Sequence, residues 1–465
     1  MEKDTEKSAY TSESDRTEGG DASIHMHDDL PDGKTRDDTS AAAGATTTPP
    51  APTDEPSTPP ATDPVPDGGL TAWLQVVGSA AVLVNTWGVI NTFGVFQAYY
   101  EAELLKSHSS SEISWIGSTQ AALLFLVGVF AGPLYDAGYF RQLLLGGLFL
   151  IVLGQFMTSL CTAYWQVMLA QGITMGVGMG MTFLPSAAIL GQYFSRHRAL
   201  ALGLSSVGSP VAGSIFPVMF SQLEPKVGFG WATRAIAFIL LGMSAVALVF
   251  MRTRVPPTGK ARSIIDRSAL RDVPFLLFVA GGLFAFLTLY VTFFYITLFA
   301  TSHHTASEEF APYLVTILNA GSIVGRIVPN AMADRWGSLN MAIVCTFASA
   351  ILAFGWLGIH DLAGSVVYVL LYGAFSGGVV SLVPSVIVGL SPDMGRVGAR
   401  MGMTFVVSGV AILTGTPIAG AILGDVEHPE WLGTILYAAF GLILATALYA
   451  ASRFVLYRRT GNLRA

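Results

Sequence analysis

Residues 311–337 form an apolar run with an arginine, Arg326, inside it. Asp334 and Arg335 mark the polar end of that run. Arg326 lies eight residues earlier, so about 12 Å deeper at 1.5 Å per residue. In a hydrocarbon core roughly 30 Å thick, that is near the middle. A central arginine costs roughly 2.5–3.5 kcal/mol on insertion scales, so it faces either a water-filled path or a partner. Asn319, Ser322 and Arg326 are spaced i, i+3, i+7 and share one helical face. The chemistry open to this polar stripe is anion binding, because a guanidinium offers paired donors to a carboxylate. The competing arrangement is an arginine satisfied by helix-end carbonyls or by a buried carboxylate.

Other candidates are weaker singly. Val84, Trp87 and Asn91 fall on one face of an earlier apolar run. Asn91 either lines a path or bonds a neighbouring helix. Tyr290, with Phe294 and Tyr295, and Phe375, with Ser381, supply aromatic bulk and hydroxyls in two later runs. The glycines between Gly172 and Gly180 superficially resemble a phosphate loop, but no strand precedes them. Small residues at that density let membrane helices approach closely, as do Gly146, Gly147, Gly203, Gly208, Gly213, Gly373, Gly377 and Gly378. His303 and His304 precede Glu308 and Glu309, which reads as a solvated loop before it reads as a metal site. Cys161 and Cys345 sit in apolar surroundings and suggest neither a disulfide nor a metal. No nucleophile–base set with enzymatic spacing and no Walker sequence occurs, so the reading excludes an enzyme, ATP-driven transport and a cofactor.

The elements that must carry these residues are membrane helices. Of the 465 residues, 52% are hydrophobic and 12% charged, against about 25% charged in soluble domains. Twelve runs approach the ~20 residues a spanning helix needs. They lie at 71–98, 113–135, 142–162, 165–191, 199–221, 232–252, 273–299, 311–333, 340–359, 364–389, 398–422 and 431–456. Residues 1–66 hold 15 acidic and five basic side chains, a net −10, which leaves +4 of the total −6 for the rest. The composition of 1–65 predicts a disordered acidic tail, without the basic and apolar pattern of a cleavable signal. The domains expected are the tail 1–65, a six-helix half 66–252, a basic linker 253–272, a second half 273–456 and a short tail 457–465. Nucleic-acid binding has no support.

Arginines mark one side of the predicted membrane: Arg141, Arg196, Arg198, those of 252–271, Arg335, Arg396, Arg400 and the C-terminal cluster. The other side holds Glu101, Glu103, Glu112, Glu308 and Glu309 with few basic residues. The positive-inside rule then places both termini in the cytoplasm. The halves also repeat. Leu184-Pro185-Ser186 matches Val383-Pro384-Ser385 at an offset of 199, and Arg198 with Arg396, and Asp136 with Asp334, match at 198. Internal symmetry of this kind places a substrate site between the halves near the midplane.

Pro66-Asp67-Gly68-Gly69-Leu-Thr-Ala-Trp73 resembles the Asp-Gly-Gly signature of the monocarboxylate porter family, within the major facilitator superfamily. Asn91-Thr-Phe-Gly-Val-Phe-Gln-Ala-Tyr-Tyr100, Gln192-Tyr-Phe-Ser-Arg-His-Arg-Ala-Leu-Ala-Leu-Gly203 and Gly395-Arg-Val-Gly-Ala-Arg-Met-Gly402 resemble its fungal branch. The resemblance covers about residues 66–456. It implies an all-α membrane protein of twelve helices in two halves, a central cavity and alternating access. It also implies substrates that are monocarboxylates or larger carboxylated metabolites, with Arg326 where the family binds the carboxylate. Ser322 stands where animal members have a proton-coupling aspartate, and Asn91 where they have a lysine. Asp136 keeps the acidic residue of the superfamily's gating loop, while Ala137 replaces a common basic one. Gln171 and its neighbours supply no fourth-helix arginine of the kind seen in drug/proton antiporters.

The resulting expectation is a gradient-driven carrier of a small organic acid or carboxylated metabolite. Arg326 binds the anion, with Asn319, Ser322, Asn91, Tyr290 and Phe375 around it, and Asp136, Asp334 and Arg335 belong to gates. A proton is a candidate coupling ion, and the plasma membrane is the expected location. Two rivals are export of a secondary metabolite and a nutrient sensor that moves nothing.

Overall fold

The computed structural model describes residues 67–195, 197–254, 265–392, 394–424 and 429–461. The 1–65 tail, the end of the C-terminal tail, the middle of the 253–272 linker and the side chain of Asp334 lie outside that set. Every regular element among the described residues is a helix. Lipid offers the backbone no partners, so each apolar run must satisfy its amides internally, and a helix does so.

Eleven of the helices are long and apolar enough to cross a membrane. They are α1 (Leu70–Leu104), α2 (Ser110–Asp136), α3 (Phe140–Thr158), α4 (Tyr164–Tyr193), α5 (Leu200–Phe250) and α6 (Val273–Ser302). The rest are α7 (Ala311–Ala333), α8 (Ser338–Gly358), α9 (Leu362–Leu390), α10 (Arg396–Leu423) and α11 (Trp431–Thr460). Local chemistry sets their ends. Ser109 and Glu112 form a capping box at α2, each side chain accepting the other's amide at 3.2 and 2.9 Å. Asp361 accepts the amide of Gly364 at 2.8 Å to start α9. The helical turns of α7 run on to Trp336 and stop at Gly337, whose φ of 91° a side chain would resist.

Two interruptions in α5 matter. At Gly228 the backbone turns to φ 77° and ψ 163°, out of the helical region. Near its start, Val207 keeps helical angles of −65° and −25°, yet the hydrogen-bond ladder lapses between Ser206 and Gly208. Pro210 explains this, because it has no N–H to give the Ser206 carbonyl four residues back.

Helices α1–α5 pack among themselves, and so do α6–α11. The groups are joined by α2 with α10, α5 with α7, and α1 with α6 and α7. Close approach rests on glycine. A Cβ on Gly94 would collide with the Phe293 carbonyl across the α1–α6 seam, and one on Gly213 with Asn319 across α5–α7. Gly176, Gly178 and Gly180 press on the backbone or side chains of α2 and α3, so the glycine run of α4 is a packing surface. Gly203 has open space instead and serves no such contact.

Helix α1 extends to Leu104, six residues past the limit read from sequence, through a π-helical turn at Tyr100–Leu104. Glu101 is thereby a buried helical residue, where the charge pattern had put it in an outer connection. The two groups are tied alike at the end where α1 begins, called here the near end. Asp67 accepts the Ser195 amide at 2.6 Å, holding the segment that leads into α5. Asp272, just before α6, accepts Arg400 of α10 at 2.8 Å, and Asp266 accepts the same guanidinium at 3.1 Å. Arg400 is only 2% exposed and also donates to the Leu390 carbonyl at 2.8 Å.

Candidate functional site

Arg326 lies on the face of α7 turned to α5 and is 7% exposed. Its Nε donates to Ser322 Oγ at 3.3 Å, one turn earlier. Its Nη1 donates to the Ser206 carbonyl at 3.2 Å. That carbonyl is the one Pro210 leaves without a helical donor, so of the alternatives open from sequence the structure shows the helix-end carbonyl. Among the described residues no carboxylate pairs with Arg326. Two of its five N–H groups are used, which leaves donors for a ligand.

The stripe predicted on α7 is present. Asn319 is buried, donates to the Val315 carbonyl at 2.9 Å and leaves its Oδ1 without a partner among the described residues. Asn91 of α1 donates to Ser209 Oγ at 3.2 Å, so it bonds α5 beside the same proline-disrupted turn. Tyr290 of α6 is buried, stacks on Trp87 with ring centroids 6.2 Å apart, and lies within electrostatic reach of Arg326. Arg326, Ser322, Asn319, Asn91 and Tyr290 thus gather where α1, α5, α6 and α7 meet. Phe375 of α9 is half-buried and has no ring partner among the described residues. Asp136 and Arg335 lie at the near end, remote from this group along their helices.

Sequence reasoning missed what surrounds Trp87. It meets Phe125 of α2 at 5.4 Å and Phe183 of α4 at 5.9 Å, besides Tyr290. Phe125 in turn meets Phe286 of α6 at 5.8 Å and Phe405 of α10 at 4.9 Å. These rings form one cluster drawn from both helix groups. Trp87 also sits in the π-helical turn Val84–Gly88, a local widening frequent at functional sites. Four phenylalanines scattered over four runs carry no spacing signal, so nothing in the sequence groups them with Trp87. Two hollows, of about 180 and 370 Å³, lie at helix ends near Gly337 and Arg254, and neither is lined by Arg326.

Hydrogen bonds across the seams gather toward the far end, where α1 stops. Ser111 Oγ donates to the Pro417 carbonyl at 2.9 Å, and the hydroxyls of Ser118 and Thr416 meet between the same helices, α2 and α10. Thr316 Oγ1 donates to the Ser214 carbonyl at 3.0 Å, and Gln222 Nε2 to Tyr313 Oη at 2.9 Å, between α7 and α5.

A bundle of membrane helices in two groups, with buried polar and aromatic residues where they meet and far-end bonds between them, is an arrangement suited to a carrier. Residues 76–372 match the profile of the Major Facilitator Superfamily, and the chain belongs to that superfamily. It is similar to the MFS-type transporter dbaD of Emericella nidulans, 44% identical over 379 residues, 82% of this chain and 85% of that one. It is also similar to the aspyridones efflux protein apdF of the same species, 35% identical over 404 residues, 87% and 82% of the two chains. The MFS transporter asaE of Aspergillus flavus is 37% identical over 413 residues, 87% and 90% of the chains. The protein is therefore a multi-pass secondary transporter of the MFS type.

Proposed function

We propose that the protein exports a secondary metabolite carrying a carboxylate and an aromatic or other large apolar portion. The observation behind this reading is Arg326, buried without an acidic partner among the described residues and close to Tyr290 and the ring cluster. A desolvated guanidinium holds a carboxylate far more strongly than an exposed one. The rings offer apolar faces to the remainder of the cargo. Export is favoured over uptake of a small acid because a relative covering most of the chain bears the name of an efflux protein.

The break at Gly228 supports reading α5 as the two spans expected from sequence, for twelve helices with six on each side of 253–272. That is the arrangement of the monocarboxylate porters it resembles. The near end is then cytoplasmic, in the plasma membrane, and the far-end bonds close the outer side. Asp136, Asp334 and Arg335 belong to the inner gate, and Phe375 lines the route beside α7.

The test compares producing cells with and without the chain, and with Arg326→Ala at equal membrane abundance. Mass spectrometry reads the medium-to-cell ratio of acidic aromatic metabolites and of their neutral esters. Export raises the ratio for the acid, and Arg326→Ala removes that rise while sparing the ester. A lowered ratio marks uptake instead, and no change at normal abundance marks a sensor.

A further inference from the structure

Glu101 lies near the far end of α1 and is 8% exposed. Its Oε1 accepts from Gln97 Nε2 at 3.0 Å, and no hydrogen bond of normal length reaches its Oε2. Ser110 of α2 lies beside it and is buried as well. As a carboxylate Glu101 only accepts, and its charge is buried. One added proton turns Oε2 into a donor and removes that charge.

Among the described residues no cation pairs with Glu101 to do this otherwise. Lys106, the nearest basic residue along the chain, pairs with Glu103 at 3.4 Å, both exposed. His108 pairs with Glu112 at 3.4 Å at the start of α2. Glu224 of α5 interacts with Glu103 and Tyr99. On the same helix Tyr100 bonds Gln171 of α4 at 2.6 Å. From α6, Tyr295 faces Glu101 and Gln97 and donates to the Thr416 carbonyl of α10 at 3.2 Å. Thr416 meets Ser118 of α2. Glu101 is therefore one step from the hydrogen bonds that close the far-end seam.

The geometry points to Glu101 as a proton-binding site that couples closure of the far-end seam to uptake of one proton from the water on that side. The carboxylate and the proton form the neutral acid, and no other bond changes. Loss of the proton leaves a bare charge in the seam, which then admits water and opens. This inference deepens the transporter reading and rests on it for the meaning of opening.

The experiment needs no cargo. In the full-length protein with Cys161→Ala and Cys345→Ala, Ser111→Cys reports seam opening to an impermeant thiol reagent. Labelling rates are measured from about pH 5 to about pH 8, where buried carboxyls titrate. At each pH they are divided by the rate with Glu101→Gln, which cancels the thiol's own titration. The ratio is expected to climb by up to about tenfold per pH unit until Glu101 is ionised. Glu101→Asp retains a climb, and Glu103→Gln and Glu112→Gln leave it unchanged. Thr316→Cys in the α5–α7 seam repeats the reading if Ser111→Cys fails to reach the membrane. A flat ratio, or a climb abolished by Glu103→Gln or Glu112→Gln, overturns the proposal. Failure of metabolite export would sink the exporter reading and leave this titration standing.

Discussion

Arg326 makes one backbone contact in this structure and has one proposed duty, cargo binding, and the two can be separated. The contact is with the Ser206 carbonyl, and it exists because Pro210 brings no N–H. Pro210→Ala restores that donor and frees Arg326 from the carbonyl. If cargo binding is the arginine's main duty, Pro210→Ala should keep affinity for the exported acid within about fivefold, as a change under ~1 kcal/mol implies. Arg326→Ala should weaken it by roughly 30-fold to several thousand-fold, the cost of losing a desolvated charge partner of about 2–5 kcal/mol. Arg326→Lys keeps the charge without the planar fork and should fall between them. Equilibrium binding on purified protein checks all three. The polar face of α7 was legible from spacing alone, since Asn319, Ser322 and Arg326 recur at helical intervals. Its partner was not, because a backbone carbonyl leaves no residue type to read. The signal that could have found it was Pro210, which strips a carbonyl of its donor four residues earlier.

At the scale of elements, the near-end tie of Arg400 to Asp266 and Asp272 fastens the linker to α10 and α6. Arg459 adds a bond to Asp272 at 3.0 Å from the end of α11. Removing Arg400 leaves two acids short of their cation, so Arg400→Met should destabilise the protein by roughly 2–4 kcal/mol, moderated by the partial exposure of Asp272. Hydrogen bonds from the Ser268 hydroxyl at 2.6 Å and amide at 3.0 Å, and then Arg400, hold the Asp266 carboxyl below the usual carboxylate range. A lowered folded value means its stabilisation is complete above the unfolded value of about 3.9 and is lost as the pH falls through the folded one. Thermal unfolding in detergent between neutral and acid pH should show this loss, and Asp266→Asn should flatten that part of the curve. The helices themselves were read closely from hydropathy. The end of α1 was misplaced because Glu101, Glu103 and Lys106 look like a loop in sequence. Tertiary burial beside Tyr295 and Ser110 overrides that signal for Glu101.

For the whole molecule, the repeat at offsets of 198–199 leads to the expectation of two related groups of helices. It could not announce which end the seams close, since symmetry is blind to conformation. With the near end cytoplasmic, His304→Cys should be labelled from outside intact cells by an impermeant thiol reagent, and Ser263→Cys only after permeabilisation. The reverse pattern would invert the molecule and turn the exporter reading around. The aromatic cluster belongs to this scale as well. Trp87, Phe125, Phe183, Phe286 and Phe405 come from five helices, and only their assembly brings the rings together.

The far-end seam is fastened by neutral groups, hydroxyls, amides and carbonyls. Such bonds can break and re-form without carrying charge through the membrane field. The electrical cost of switching then falls on Arg326 and, on the proton-binding reading, on an ionised Glu101, at about 2.3 kcal/mol per elementary charge across 100 mV. On the proposed reading a carboxylate bound to Arg326 cancels its charge, so the loaded, protonated carrier crosses the field almost silently. The empty carrier returns with its arginine bare, and current recorded across a membrane bearing this protein should belong to the return stroke.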